Sequence, residues 1–533
     1  MVFRFLHSLL LEATITPSSL FAGVLLLALL YALLPSAQDR AVAKLPRPSS
    51  TLPVLGNTLD AMFAQRMRLN DWFFERCKQF QGVPWVFKVV GQAPMVVIYT
   101  EATVEDVLKT QFDVFPRGAD FRDALRDLFG DGILNADGAN WFHQRKTASY
   151  LFTPQMMRDV MEGTITRHTE RLCEIVAESA YKGDTLDIKH LLELYATDIF
   201  TKIGFGVDLQ FLEQGNKEFF ERFRRIGNIV LHRNEQPMWL WKLMKVLGLG
   251  VERQQSEDIA WVDKFILSII VDAISANTAK LPQQQETTAK RSSKDLIDLF
   301  INSSDNANTP LDPTAIRDMA MSFISGGRET TAYGMSWFLI QMSKYPHIQS
   351  KIRAEIRDKL PGLMNGEIVV PTKEQTNALI YLEAAIKETL RLYPVVPINV
   401  RIPLEDVTLV DGTFLKAGTK VIMPNYAMAR MKSVWGPDAE EFNPERWIEP
   451  ATGTIRTFSP FKFTTFSGGP RICLGRHFSL MEMKITLSSL LARFEIVTEK
   501  DPDSYAYDKS LVLSILGPVM VRATPVKGDA VAI

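Results

Sequence analysis

The sequence predicts a mainly α-helical fold with a smaller β-rich part, preceded by one transmembrane helix. Apolar residues recur at helical spacing over most of the chain between Ala102 and Leu392. Short stretches of alternating apolar and polar residues, bounded by glycine and proline, lie on both sides of that region. One long apolar run, Ile15 to Leu34, stands near the N-terminus.

Composition and charge limit the classes of function. The 533 residues include 60 Lys and Arg against 61 Asp and Glu, a net charge of −1. Nucleic-acid binding needs a basic surface, so we expect no nucleic acid partner. Cys77, Cys173 and Cys473 are far apart and form no C-x-x-C pair, which argues against a disulfide framework and a structural zinc site. A reducing compartment is therefore favoured.

The apolar run predicts a single-pass membrane anchor. About 20 residues of helix extend ~30 Å, the thickness of the hydrocarbon core of a bilayer. Arg4 precedes the run, whereas Arg40, Lys44 and Arg47 follow it, so the positive-inside rule places the rest of the chain in the cytosol. A cleaved signal peptide is the alternative, which the absence of paired cysteines disfavours. We divide the chain into a membrane anchor, residues 1–44, and one catalytic domain, residues 45–533.

The β-rich part is predicted from two hairpins and a C-terminal tail. Gly91 and Pro94 separate the strands of the first hairpin, and the Asp411-Gly412 dipeptide is a strong turn signal for the second. The predicted strands are 84–90 and 95–99 in the first hairpin, 407–410, 413–415 and 421–423 in the second, and 494–497 and 511–522 in the tail.

The segment from Phe466 to Gly475, FSGGPRICLG, places Cys473 on a glycine-rich turn directly before a helical pattern. Free N–H groups at a helix N-terminus stabilise an anion, so we expect a depressed pKa for Cys473 and a thiolate sulfur. A small buried cysteine in a glycine turn is the alternative for this residue taken alone.

The neighbours of Cys473 suit a flat partner that carries carboxylates. Gly469 and Gly475 allow the backbone to approach such a partner closely. Arg471 offers a fork of donors to a carboxylate, and Phe466 shields the sulfur from water. Together these features predict a haem iron held by Cys473.

A long helix is predicted from Asp312 to Lys344, about 48 Å at ~1.5 Å per residue. Its middle, SGGRETT at residues 325–331, contains two glycines, each costing about 1 kcal/mol in a helix interior relative to alanine. We interpret the glycines as opening a groove beside Thr330 and Glu329, which would deliver protons for oxygen chemistry. A helix kink capped by threonine is the alternative.

Two further pairs have helical spacing. Trp141 and Arg145 lie four residues apart and share one helix face, where both could reach a carboxylate, although the pair taken alone favours an ordinary interfacial helix. Glu388 and Arg391 lie one turn apart and can form an ion pair.

These segments resemble the cytochrome P-450 (haem-thiolate) superfamily. Its haem-binding signature F-x-x-G-x-R-x-C-x-G is matched by Phe466, Gly469, Arg471, Cys473 and Gly475. Its [AG]-G-x-[DE]-T-[TS] pattern is matched at residues 326–331, with Glu in place of the commoner Asp. The resemblance covers residues 45–525 and implies the cytochrome P-450 fold and a haem b cofactor with the Cys473 thiolate as axial iron ligand.

The resemblance also implies roles for residues outside the signature. It makes Trp141, Arg145 and Arg401 partners of the haem propionates. It makes Glu388, Arg391 and Arg446 a buried charge network that holds the cysteine loop, which we regard as structural.

A haem-thiolate enzyme inserts one oxygen atom of O₂ into a C–H bond, and no flavin or nicotinamide domain fits in the remaining chain. The resemblance therefore implies electrons from NADPH through a separate membrane NADPH-cytochrome reductase, with Lys146, Arg476 and Lys484 as expected docking charges. It also implies attachment to the endoplasmic reticulum, with the catalytic domain in the cytosol.

The runs at residues 128–146 and 426–447 are similar to the fatty-acid and alkane hydroxylase branch of the superfamily. This similarity implies ω-hydroxylation of a long-chain fatty acid, a small lipophilic substrate drawn from membrane lipid. The expected pocket walls are Phe115, Phe121, Phe323, Val395 and Leu513.

Two other functions are alternatives for this sequence. A haem-thiolate isomerase or lyase acting on lipid hydroperoxides needs no acid–alcohol pair, so Glu329 and Thr330 argue against it. A non-catalytic haem carrier or sensor would need no reductase. The segment Met238 to Gly250, in turn, suits either buried core or a bilayer interface.

Overall fold

The structure, a computed structural model, describes residues 35–279 and 313–526. The membrane anchor predicted at residues 15–34, the Asp312 cap and most of the polar loop predicted at residues 277–294 lie outside these ranges. Within the described ranges, no helix combines the length and apolar character needed to cross a bilayer.

Long helices make up most of the described chain, which confirms the mainly α-helical prediction. They are α1 (Leu69–Phe80), α2 (Ala119–Phe129), α3 (Gly138–Ser149), α4 (Gly163–Lys182), α5 (Ile188–Phe205), α6 (Lys217–Glu235), α7 (Met238–Val246), α8 (Gly250–Ala279), α9 (Pro313–Lys344), α10 (Pro346–Lys359), α11 (Ile380–Leu392) and α12 (Arg476–Arg493). Shorter helical segments include Ala37–Ala41, Asp60–Ala64, Glu101–Glu105, Asp106–Thr110, Met157–Glu162, Phe211–Gln214, Asn425–Met428 and Pro444–Trp447.

The β-rich part consists of three small sheets. Its strands are β1 (Trp85–Phe87), β2 (Met95–Val97), β3 (Thr185–Asp187), β4 (Asn399–Arg401), β5 (Val407–Thr408), β6 (Phe414–Leu415), β7 (Lys420–Met423), β8 (Phe494–Thr498) and β9 (Met520–Pro525). The strand orders are β1-β2-β7-β4, β3-β9-β8 and β5-β6.

Both predicted hairpins are confirmed. Two predicted strands, one in the second hairpin and one in the C-terminal tail, are corrected. β1 and β2 pair antiparallel, as do β5 and β6 around Gly412, whose φ of 84° suits glycine in a tight turn. The segment 421–423 does not extend the second hairpin, because β7 instead pairs parallel to β2. In the tail, β8 is confirmed, but the second strand is confined to β9 rather than starting at residue 511.

Helix α9 runs through the helical core and carries the glycine-containing segment. It ends at Lys344 before Pro346, as predicted, because proline has no backbone N–H with which to continue a helix. Along its length it packs against α5, and its buried residues belong to the larger of two main hydrophobic clusters. The smaller of the two surrounds β1, β2 and β7. The central position of α9 brings its glycines to the interior of the domain.

The segment Met238 to Gly250, for which the sequence allows either buried core or a bilayer interface, contains helix α7. Only Trp241 among its residues is buried, beneath the guanidinium of Arg233 at 4.7 Å. Trp239 and Val246 are 67% and 83% exposed. The segment is therefore not buried core, and its apolar side chains face outward.

A buried charge network joins α11 to the segment that leads into the cysteine loop. Arg391 forms a bidentate pair with Glu388, with both contacts at 2.8 Å and both side chains fully buried. Glu388 also accepts hydrogen bonds from Trp447 Nε1 at 2.9 Å and from the Asn443 N–H at 2.9 Å. Arg446 lies 3.4 Å from the same carboxylate.

We expect Glu388→Gln to lower the free energy of unfolding by about 3–5 kcal/mol, because it leaves the Arg391 guanidinium buried without its counter-charge. Urea unfolding followed by circular dichroism measures the change. Glu75→Gln, which breaks the exposed pair with Arg68, is the matched control and should leave the unfolding midpoint unchanged. Equal midpoints for both variants would contradict a supporting role for the network.

Candidate active site

One large cavity, of about 790 Å³, lies between α9 and the loop that carries Cys473. Cys473 and Thr330 both line it, so the sulfur and the glycine-containing segment of α9 face a common space. Most of the other predicted cofactor residues also line this cavity, namely Phe466, Arg471, Gly475, Trp141, Arg145, Arg401 and Glu329.

The loop around Cys473 is held by backbone contacts. The Cys473 N–H donates to the Phe466 carbonyl at 2.9 Å, and α12 begins three residues later with Gly475 as its N-cap. Thr465 Oγ1 donates to the Leu390 carbonyl at 2.7 Å, which ties the loop to α11. The Trp447 ring, bonded to Glu388, packs edge-on against Phe463 at 4.7 Å. The buried charge network is thus connected to the cysteine loop through packed rings.

The pKa of Cys473 differs from the prediction. Burial raises it above the ordinary value of a thiol, although the Gly475 N–H and the charges of Arg145 and Arg476 act in the opposite direction. The predicted helix-terminal stabilisation is present but is outweighed, because dehydration disfavours an anion. Desolvation therefore disfavours the thiolate in the protein alone, although the sulfur faces the cavity and is exposed to it. A bound metal ion makes the sulfur a thiolate by direct coordination.

The two glycines of the loop, Gly469 and Gly475, are explained by different features of the structure. A Cβ at Gly469 would clash with the Leu108 carbonyl, and the residue has a φ of 67°, so the protein itself requires glycine there. A Cβ at Gly475 would meet only the Phe152 ring, at 3.7 Å, and the Cys473 sulfur, at 4.0 Å. Protein packing does not demand glycine at Gly475, and the space beside the sulfur remains for a ligand.

Four of the cavity arginines, Arg117, Arg145, Arg401 and Arg471, lie near the cysteine loop, where Asp137 is the one carboxylate paired with any of them among the described residues. Arg471 bonds the Asp137 carboxylate at 2.6 Å and the Ala136 carbonyl at 3.0 Å. Burial, together with repulsion from Arg117 and Arg471, lowers the pKa of Arg401 to about 9. The Nε atoms of Arg117 and Arg471 are buried without a hydrogen-bond partner. The imbalance fits a ligand that brings two carboxylates, as haem b does.

Trp141 and Arg145 share one face of α3, as the spacing predicts, but they contact different groups. The Trp141 ring lies under the Arg471 guanidinium at 4.3 Å. Arg145 donates to the Ile472 carbonyl at 2.7 Å, next to Cys473. We keep their proposed contacts with the haem propionates as predictions, together with those of Arg401 and Arg471.

The glycines of α9 are also not equivalent. A Cβ at Gly327 would clash with the Phe200 ring, so this glycine allows α5 and α9 to pack closely. No atom lies within 4 Å of a Cβ placed at Gly326, which lines the cavity. Thr330 Oγ1 donates to the Gly326 carbonyl at 2.7 Å. Both glycines line the cavity, but only Gly326 leaves open the space that its side chain would fill.

Three predictions about individual side chains are wrong. Phe115 does not line the cavity, because it is fully buried against β1 and β2, and Leu513 lies in the core with its carbonyl bonded to Trp337. Phe121, Phe323 and Val395 do line the cavity. Lys484 cannot serve as a docking charge, since it is buried and paired with Glu383 at 3.1 Å.

Several cavity residues were missed from the sequence. Arg117, Asp137, Glu193 and Arg328 all contribute charge beside or within the cavity. Arg117 follows Pro116 without any motif that distinguishes it from a surface arginine. Arg328 stands inside the matched α9 pattern, at its unspecified position, so only the pattern could have pointed to it.

A cysteine that faces a helix-bounded cavity, beside arginines that outnumber their carboxylate partners, is typical of a haem-thiolate protein. The family model for cytochrome P450 matches residues 46–520, and the chain belongs to the cytochrome P450 family. The enzymes of this family are monooxygenases with haem b on a cysteine thiolate, supplied with electrons by a reductase partner.

Curated relatives agree with this family and with the branch that the sequence resembles. The chain is 34% identical to cytochrome P450 CYP94D108 of Paris polyphylla, over 82% of this chain and 87% of the relative. It is 34% identical to cytochrome P450 86B1 of Arabidopsis thaliana, over 83% and 80%. It is 31% identical to cytochrome P450 704C1 of Pinus taeda, over 84% and 88%.

Replacing the sulfur tests the metal ligand directly. We expect Cys473→Ser to abolish the strongly red-shifted Soret band of the reduced CO adduct, because a hydroxyl does not replace the electron donation of a thiolate. Cys173→Ala removes a buried thiol that does not line the cavity and should keep the band. Retention of the band in Cys473→Ser would assign the ligand to another residue.

Proposed function

We propose that the protein hydroxylates long-chain fatty acids at or near the terminal methyl group. The observation that carries the proposal is a single cavity that joins Cys473 and Thr330 to a long apolar wall. The wall includes Phe121, Leu125, Leu128, Phe129, Phe323 and Val395. An apolar chain that passes along this wall would bring its end toward the sulfur side of the cavity.

The open side of the cavity suits the carboxylate end of such a substrate. One exposed face of α6 lines the cavity. It carries Lys217, Glu221, Arg224 and Asn228. Arg222 and Arg225 are committed to Asp258, at 2.9 and 2.7 Å. Among residues 35–279 and 313–526, by contrast, no ion-pair partner is found for Arg224. Its guanidinium remains for a carboxylate at the mouth of the cavity.

The haem, held by Cys473 and by the arginines that lack carboxylate partners, supplies the activation of O₂ for insertion of one oxygen atom into a C–H bond. The protein supplies orientation, an apolar environment and protons. In our proposal the Thr330 hydroxyl presents a proton inside the cavity, and Glu329 replenishes it. Burial raises the pKa of Glu329 although Arg328 opposes the rise, so its carboxyl group takes up a proton more readily than an exposed one.

We also propose that the enzyme is tethered to the endoplasmic reticulum with its catalytic domain in the cytosol. The exposed apolar residues of α7 support contact with a bilayer, as do those near the start of the described chain, Leu52, Val54, Leu55, Leu59 and Phe63. Gly91, beside the N-terminal hairpin, packs against Pro237 at the start of α7, which brings the two groups near one another. Fatty acids could thus enter from the lipid phase.

Incubation with an NADPH-dependent reductase and a panel of lipids tests the proposed function. We expect NADPH-dependent formation of terminally hydroxylated long-chain fatty acids, identified by mass spectrometry. Consumption of lipid hydroperoxides without NADPH would instead favour the isomerase or lyase. Absence of any NADPH-dependent product would favour a haem carrier or sensor.

Thr330→Ala should keep the red-shifted Soret band of the CO adduct but divert electrons from product to hydrogen peroxide, because the cavity loses its hydroxyl proton donor. The measurement is hydroxylated product and peroxide formed per NADPH consumed. Ser336→Ala is the matched control, since Ser336 makes the same type of bond, to the Ala332 carbonyl at 2.7 Å, away from the cavity. Undiminished product per NADPH in Thr330→Ala would refute this role.

Arg224→Gln should weaken binding of a long-chain fatty acid about threefold and leave the corresponding primary alcohol unaffected. This effect corresponds to the ~0.5–1 kcal/mol typical of a partly exposed ion pair. Titration of the substrate-induced Soret shift measures both affinities. Arg253→Gln, which changes an exposed arginine paired with Glu257 and outside the cavity lining, is the control. Equal losses for acid and alcohol would argue against carboxylate recognition by Arg224.

A further inference from the structure

The guanidinium of Arg328 has unused donors in a buried place. Its side chain is only 3% exposed and lines the cavity, and its Nε and Nη1 atoms have no hydrogen-bond partner. The third nitrogen is paired with Glu329. The group lies over the rings of Phe223 and Phe220 on α6, at 4.3 and 5.3 Å. Buried N–H groups without partners are costly, so this position calls for a bound water or another polar group.

A second carboxylate lies close enough to Arg328 to interact with its charge. Glu193 of α5 lines the same cavity, and its side chain is 16% exposed. Burial opposes its ionisation, but His190, Arg328, Tyr333 and Lys189 outweigh burial and lower the pKa of Glu193. The charge of Glu193 in turn contributes to the raised pKa of Glu329. The two acids beside one guanidinium therefore have pKa values displaced in opposite directions.

The line of ionisable groups continues to the surface. His190 Nδ1 lies 3.6 Å from the Glu193 carboxylate, and the His190 side chain is 41% exposed. The Tyr333 hydroxyl, one turn after Glu329 on α9, interacts with the Glu193 carboxylate. From α6, aromatic rings face this line, including Phe220 edge-on to His190 at 5.8 Å, and the charged side chains of Lys217, Glu221 and Arg224 line the same cavity. His190, Glu193, Arg328 and Glu329 all border the one cavity.

We propose that His190 and Glu193 form the solvent end of the path by which protons reach Glu329, and that the free N–H groups of Arg328 hold the water bridging the two carboxylates. A proton that arrives at Glu193 moves to the more basic Glu329, which is the direction that turnover requires. Each turnover converts R–H, O₂, two electrons and two protons into R–OH and H₂O. NADPH supplies the electrons through the reductase, and the path supplies the protons. The inference rests on the proposed role of Glu329.

Glu193→Gln tests the path in the full-length, haem-loaded enzyme. We expect kcat to fall several-fold with KM unchanged, and the solvent deuterium isotope effect on kcat to increase. His190→Gln, at a partly exposed site, should act in the same direction, and the double variant should add little because both residues serve one path. Glu170→Gln, an exposed acid on α4 outside the cavity lining, is the matched control and should resemble the unmodified enzyme.

A second readout is independent of turnover. The carboxylic acid C=O stretch of Glu329, assigned by its loss in Glu329→Gln, reports the pH at which this group is protonated. Because the charge of Glu193 raises the pKa of Glu329, Glu193→Gln should move the midpoint to lower pH, and Glu170→Gln should not move it. An unchanged midpoint together with an unchanged kcat and isotope effect in Glu193→Gln would overturn the inference. Unchanged turnover and coupling in Glu329→Gln would instead overturn the proposed role of Glu329 itself.

Discussion

The position of Cys473 depends on the bidentate ion pair between Glu388 and Arg391. Both side chains are fully buried, and a charge in such a place is tolerated only when its partners are complete. The Arg391 guanidinium also bonds the carbonyls of Ala439 and Glu441, at 2.6 and 2.9 Å. The pair thereby fixes α11 to the chain that precedes the cysteine loop. Since α11 also accepts the Thr465 hydroxyl, the sulfur is presented from a rigid support.

The cavity that this support faces is divided by charge. The arginines near the cysteine loop outnumber the carboxylates that pair with them. Glu193 and Glu329 instead lie on α5 and α9. Apolar side chains such as Phe121 and Leu125 line other parts of the same cavity. One cavity can thus bind an anionic cofactor, hold protons and admit a lipophilic chain.

Local chemistry explains what could be predicted from the sequence. The cysteine loop and the α9 segment can be predicted because each carries its candidate site residues in one short stretch of sequence. The residues that were missed or misplaced depend on packing between distant segments. Glu193 and Arg328 meet only because α5 lies along α9, and β7 joins β2 from a remote part of the chain. Lys484 was misjudged because α12 is buried on nearly every face, so its polar residues do not mark a surface.

The contrast between local sequence and packing of distant segments also explains why the sequence predicts the wrong direction for the pKa of Cys473. Sequence shows the helix start and the nearby arginines, which favour an anion, but not the depth at which the sulfur lies. Desolvation dominates and raises the pKa of Cys473, while burial leaves Arg117 and Arg471 with donors that lack partners among the described residues. Both costs are removed by one ligand, because haem b brings a metal for the sulfur and carboxylates for the arginines. The domain is thus built to be most stable with its cofactor bound, and cofactor binding and folding are thermodynamically linked.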